Sequence, residues 1–135
     1  MIPKIKNVLY ATDLSKNSAY AFRYAVNTAM KHDAEIHILH VVEPLSPQAK
    51  AQLRLYLEDQ KLDQLQKESR EKLLHGIEDR LKQFAERELK AQPENMKRIV
   101  GIHVVPGDPA TEILAKTDEL ECDTVIIGTH GKGAI

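Results

Sequence analysis

The chain has 135 residues, 42% of them hydrophobic and 29% charged, with a formal net charge of -1, which fits one globular domain large enough to bury a core. Balanced charge and a composition of no Trp, two Phe and four Tyr argue against nucleic acid and anionic membranes as partners. No apolar run approaches the roughly 20 residues of a bilayer span, residues 1–6 lack a signal peptide's apolar stretch, and the lone Cys122 excludes an intrachain disulfide or cysteine metal cluster. A cytoplasmic location is the expectation.

Val8-Leu9-Tyr10-Ala11 is a short apolar run that reads as a buried first strand. Thr12-Asp13-Leu14-Ser15 follows, with hydroxyls and a carboxylate suited to capping a helix. That helix is predicted over 17–31, with Ala19, Phe22, Val26, Ala29 and Met30 on its inner face. Residues 35–42 form a second strand, and strand, helix and strand in this order make a right-handed crossover with parallel strands.

Pro44 and Pro47 open a long polar segment, 46–92, in which Leu53, Leu57, Leu62, Leu65, Leu73, Leu74, Ile77, Leu81, Phe84 and Leu89 recur at helical spacing. Its length exceeds an ordinary globular helix, so either a break near residues 60–63 or a poorly ordered first part is expected. Pro93 ends it, and 98–105 reads as the third strand. In Pro106-Gly107-Asp108-Pro109, Asp108 is placed to cap a helix that starts at Pro109. That helix is expected to turn Ile113, Leu114 and Leu120 inward. A fourth strand starts at Thr124 and ends in the glycines 128, 131 and 133. The alternation of strand and helix predicts an α/β, doubly wound parallel sheet, Rossmann-like.

In such a sheet, ligands bind beyond the carboxyl ends of the strands. The residues there are Ala11-Thr12-Asp13, Val41-Val42-Glu43, the turn around Gly107, and Gly128-Thr129-His130-Gly131. Glycines at a strand tip let backbone N–H groups approach a phosphate. Apolar flanks such as Val41 suit a purine, and Asp13 could accept from ribose hydroxyls or hold magnesium. Gly128-Thr129-His130-Gly131-Lys132 lacks the spacing of a Walker A loop, and no G-x-G-x-x-G follows the first strand. No nucleophile–base pair is visible, so no catalytic residue is assigned and the chain is not expected to be an enzyme; any ATP hydrolysis should be weak. His37 and His40 lie three apart on one strand and face opposite sides, so no metal site is expected there or at His103. Cys122 reads as a small buried side chain.

Several of these segments resemble the universal stress protein family: Val8-Leu9-Tyr10-Ala11-Thr12-Asp13-Leu14-Ser15, His40-Val41-Val42, Gly107-Asp108-Pro109-Ala110 with Glu112-Ile113, and Cys122 through Gly131. They occur in the family's order and span nearly the whole chain apart from 44–97. The resemblance implies one domain over 1–135 with sheet order 3-2-1-4, a fifth strand lying outside this chain, homodimerisation, and ATP or AMP binding for signalling in stress response. It further implies that Asp13 and Val41 contact the adenosine part, with Ala11 and Thr12 also cofactor-binding, that Gly128, His130 and Gly131 surround ribose and phosphates, and that Gly107 borders the pocket. The second half of the family's glycine signature would fall past Ile135. The alternative is an interaction protein of the same fold without nucleotide, docking partners through its long helix.

Overall fold

The computed structural model describes residues 2, 4–44, 46–56 and 59–128. Four strands, β1 (Asn7–Ala11), β2 (Glu35–Val42), β3 (Ile99–Pro106) and β4 (Thr124–Ile127), form one sheet in the order β3-β2-β1-β4. All three pairings are parallel. The connections are α1 (Ser18–His32), then α2 (Pro47–Arg54) with α3 (Asp59–Glu88) and a 3-10 turn at Pro93–Arg98, then α4 (Pro109–Glu119). This is the doubly wound α/β architecture expected, in the order expected.

The alternation of side chains along each strand divides the core. Val8, Tyr10, Ile36, Ile38 and Val104 join Phe22, Ala25, Val26 and Ala29 of α1 and Ile77, Leu81, Ala85 and Leu89 of α3 in one buried cluster. Leu9 and Leu39 point to the opposite face and are also fully buried; α4 packs across β2 on that side. Phe22 ties the layers together. Its ring meets Tyr10 at 5.3 Å and Phe84 at 5.1 Å between centroids, both edge to face, a geometry worth about 0.5–1.5 kcal/mol per pair beyond area burial.

Several local expectations are revised. Phe22, Val26 and Ala29 form the inner face of α1 as expected, joined by Ala21 and Ala25, whereas Met30 is exposed; alanines let the helix lie close to the sheet. Asn17 occupies the cap position without a side-chain bond. Thr12 and Asp13 instead brace the loop itself: the Leu14 N–H donates to Thr12 Oγ1 at 3.0 Å and the Ser15 N–H to Asp13 Oδ1 at 2.9 Å. Asp108 caps α4 as expected, accepting from the Thr111 N–H at 3.0 Å, but Leu114 is turned outward.

The long segment divides earlier than residues 60–63, since α2 ends at Arg54 and α3 begins at Asp59. Ser46 caps α2, accepting from the Ala49 N–H, with Pro47 in its first turn. Of the recurring apolar positions, Ile77, Leu81 and Leu89 are buried, Leu74 and Phe84 partly so, while Leu53 and Leu73 are exposed. Leu57 lies outside the described residues. Length explains this: a 30-residue helix spans about 45 Å, and an eight-residue strand only about 26 Å. The part of α3 before Leu74, which itself packs against the core cluster, therefore overhangs the carboxyl edge of the sheet.

Candidate functional site at the carboxyl edge of the sheet

Each strand tip is pinned to its neighbour by backbone hydrogen bonds. The Thr12 N–H donates to the Leu39 carbonyl at 2.9 Å, the Gly128 N–H to the Ala11 carbonyl at 3.3 Å, and the Gly107 N–H to the Val42 carbonyl at 3.0 Å. One side chain adds to them. His40 Nδ1 lies 2.7 Å from the Thr12 carbonyl; a carbonyl only accepts, so Nδ1 carries the hydrogen. These bonds fix the β1 and β2 tips against each other, and Leu14 takes a left-handed conformation (φ 67°) so that the chain can turn into α1.

The pinned tips enclose a cavity of about 400 Å³, within the size range of small-molecule sites. Ala11, Thr12 and Asp13 supply one wall, residues 39–43 a second, and Ile127 and Gly128 a third. Pro109 and Ile113 of α4 and Ile77 of α3 complete it. Of the residues expected at the site, Ala11, Thr12, Asp13, Val41 and Gly128 converge on this one space. Gly107 does not line it. Its role is behind the wall, where φ is +143° and a Cβ would lie 2.8 Å from Glu112 Cγ. His130 and Gly131 lie outside the described residues.

Gly128 works by lacking a side chain. Its N–H is committed to Ala11, and a Cβ there would sit 2.8 Å from Ser18 Cα and 2.9 Å from Ser18 Cβ. The glycine thus lets the β4 tip close onto the start of α1. Tyr10 supports the same junction from below, its hydroxyl donating to the Ser18 carbonyl at 2.7 Å.

Chemically, the cavity pairs aliphatic walls (Leu39, Val41, Val42, Ile77, Ile113 and Ile127) with two carboxylates, Asp13 and Glu43. Among the described residues, no lysine or arginine lines it. Such a space accepts a flat apolar ring, with polar contact from backbone and carboxylate at its mouth. Ile77 and His40 were not legible as site residues from sequence: Ile77 belonged to a helical stripe, and His40 gains its role from a carbonyl on a neighbouring strand.

The sequence matches the model of the universal stress protein family over residues 4–135. The chain belongs to the universal stress protein family. Solved structures agree in fold. A universal stress protein from Lactobacillus plantarum superposes with TM-score 0.60 at 20% identity, over 99% of this chain and 86% of that one. The hypothetical protein MJ0577 gives 0.63 at 20% identity, over 98% and 80%. A universal stress protein from Archaeoglobus fulgidus gives 0.53 at 25% identity, over 95% of this chain and 34% of that one. No curated protein matches the sequence. Among the described residues of this family member, no helix is long and apolar enough to cross a membrane.

Proposed function

We infer that this chain is a nucleotide-binding universal stress protein, taking ATP or AMP in the cavity at the strand tips and using its occupancy as a signal. The observation that carries this reading is the convergence of Ala11, Thr12, Asp13, Val41 and Gly128, from three strands far apart in sequence, on one apolar space of nucleoside size. In this reading Val41 meets the base through its backbone and Asp13 meets the ribose or a bound magnesium ion. No cationic side chain is among the described lining residues, and in this reading the phosphates fall to the glycine-bearing segment after Gly128, with His130 and Gly131. Hydrolysis is incidental at most in this reading, because no nucleophile–base pair stands among the described lining residues. The protein acts in the cytoplasm as a homodimer.

Calorimetric titration of the full chain with ATP, ADP and AMP, with and without magnesium, tests this. Saturable heat is expected below millimolar nucleotide, weakened by Asp13→Ala and by Ile113→Glu. No heat at millimolar nucleotide would end the reading and favour the alternative, an interaction module without nucleotide. That alternative draws on the exposed Leu55 and Tyr56 just past α2 and on Leu73 in the overhanging part of α3.

A further inference from the structure

On the sheet face away from α1 and α3, two histidines from neighbouring strands meet. His37 Nδ1 lies 3.1 Å from His103 Nε2, and the rings are 5.3 Å apart between centroids, tilted by 33°. Regular pairing would not produce this contact. The β2–β3 register slips between Ile36 and His37: Ile36 faces Ile99 and His37 faces Gly101, leaving Val100 as the extra residue of a bulge, a device that re-aims side chains. Gly101 is the second device. A Cβ there would lie 2.6 Å from His103 Nε2 and 3.0 Å from His37 Nδ1, so the two nitrogens lean together over a position that only glycine leaves open. Glycine inside a strand weakens it and often marks such a close approach.

We propose that His37 Nδ1 and His103 Nε2 form a two-nitrogen chelate for a divalent transition cation of the copper, nickel and zinc class, seated above Gly101. Two imidazole nitrogens each about 2.0–2.1 Å from a metal stand about 2.9 Å apart at a right-angle geometry and about 3.3 Å apart at a tetrahedral one. The observed 3.1 Å falls between, so the spacing suits a shared metal ion once both rings turn their facing nitrogens toward it and the bridging proton moves to the outer nitrogen of its own ring. Both histidines sit on strands, which holds the chelate rigid and lowers the ordering cost of binding. Burial holds both imidazoles below the usual histidine range, leaving few protons for a metal to displace at neutral pH. The charged groups acting on the pair are Glu35 of β2 at His37 and, at His103, Lys116 of α4 ahead of Glu119 of α4 and Glu78 of α3; Lys116 is itself paired with Glu119 at 2.9 Å. Among the described residues no cluster of three or more histidine, cysteine, aspartate or glutamate side chains could hold a metal. Water therefore fills the remaining positions, and copper(II) should bind more tightly than zinc or nickel.

Long-range proton–nitrogen spectra of the histidine rings during zinc titration of the full chain read the proposal directly. The first and saturating changes are expected at His37 Nδ1 and His103 Nε2, near one equivalent. Histidine resonances that move only elsewhere, or not at all past several equivalents, would overturn it. Copper titration by electron paramagnetic resonance and calorimetry should show two equatorial nitrogens, with affinity falling on the order of tenfold or more in His37→Gln and in His103→Gln and unchanged in His75→Gln. Undiminished copper affinity in both folded variants would also overturn it. The zinc spectra of the unaltered protein decide the matter if a variant fails to fold.

Discussion

Replacing Gly128 with alanine adds one methyl group at the point where β4 meets α1, and the outcome can be set against the same change at Gly76. At position 128 the new Cβ would lie 2.8 Å from Ser18 Cα, 2.9 Å from Ser18 Cβ and 3.3 Å from Ala21 Cβ. The first of these is backbone, so no side-chain rotation relieves the contact. Overpacking of this kind costs about 1–3 kcal/mol, or a fall in Tm of about 3–5 °C per kcal/mol for a chain of this length. At Gly76, within α3, nothing lies within 4 Å of the added Cβ. There the change removes only glycine's excess backbone entropy, which stabilises a helix by about 0.5–1 kcal/mol. Urea denaturation with an unchanged m-value should therefore show the midpoint falling for Gly128→Ala and rising for Gly76→Ala. A neutral or stabilising Gly128→Ala would mean that β4 does not close onto α1 as described.

Tyr10→Phe removes the hydroxyl that donates to the Ser18 carbonyl and should cost about 0.5–1.5 kcal/mol by chemical denaturation. Phe22→Ala, which breaks the ring contacts to Tyr10 and Phe84, should cost about 3–5 kcal/mol; a loss below 1 kcal/mol would contradict the packing described. Acid should weaken the fold through His37 and His103. Burial lowers both below the usual 6.5, so the unfolded chain binds protons first. Stability is then greatest above that value and falls as pH drops from it toward the depressed folded values. Urea midpoints at neutral and mildly acid pH should diverge less in the His37→Gln, His103→Gln double variant than in the unaltered protein.

The parts of this fold written locally were legible in the sequence. The second strand was read at 35–42 and the structure gives Glu35–Val42, because a β-branched run between a turn and a proline leaves little choice. Asp108-Pro109 marked a helix start for the same reason. What escaped depends on partners distant along the chain. The inner face of α1 shifts from Ala19 and Met30 to Ala21 and Ala25 because the sheet below it, rather than the helix's own periodicity, selects which residues fit. Leu114 reads as core by spacing but is exposed, since α4 has no buried residue at all. Thr12 and Asp13 read as helix caps, yet they close a loop turn two residues earlier. The site's wall from β1, β2 and β4 followed from topology, whereas Ile77 entered because α3 outruns the sheet. The His37–His103 contact needed a register slip that no single strand reveals.

The central claim is that separate strand tips share one adenosine-sized space. Amide chemical-shift mapping of the full chain during ATP titration tests it most directly. The account predicts that the largest changes fall together at Ala11, Thr12, Asp13, Val41 and Gly128, with Ile77 and Ile113 following at the same nucleotide concentration. Saturable shifts confined to α2 or to the outer face of α1, with those strand tips unmoved, would contradict it.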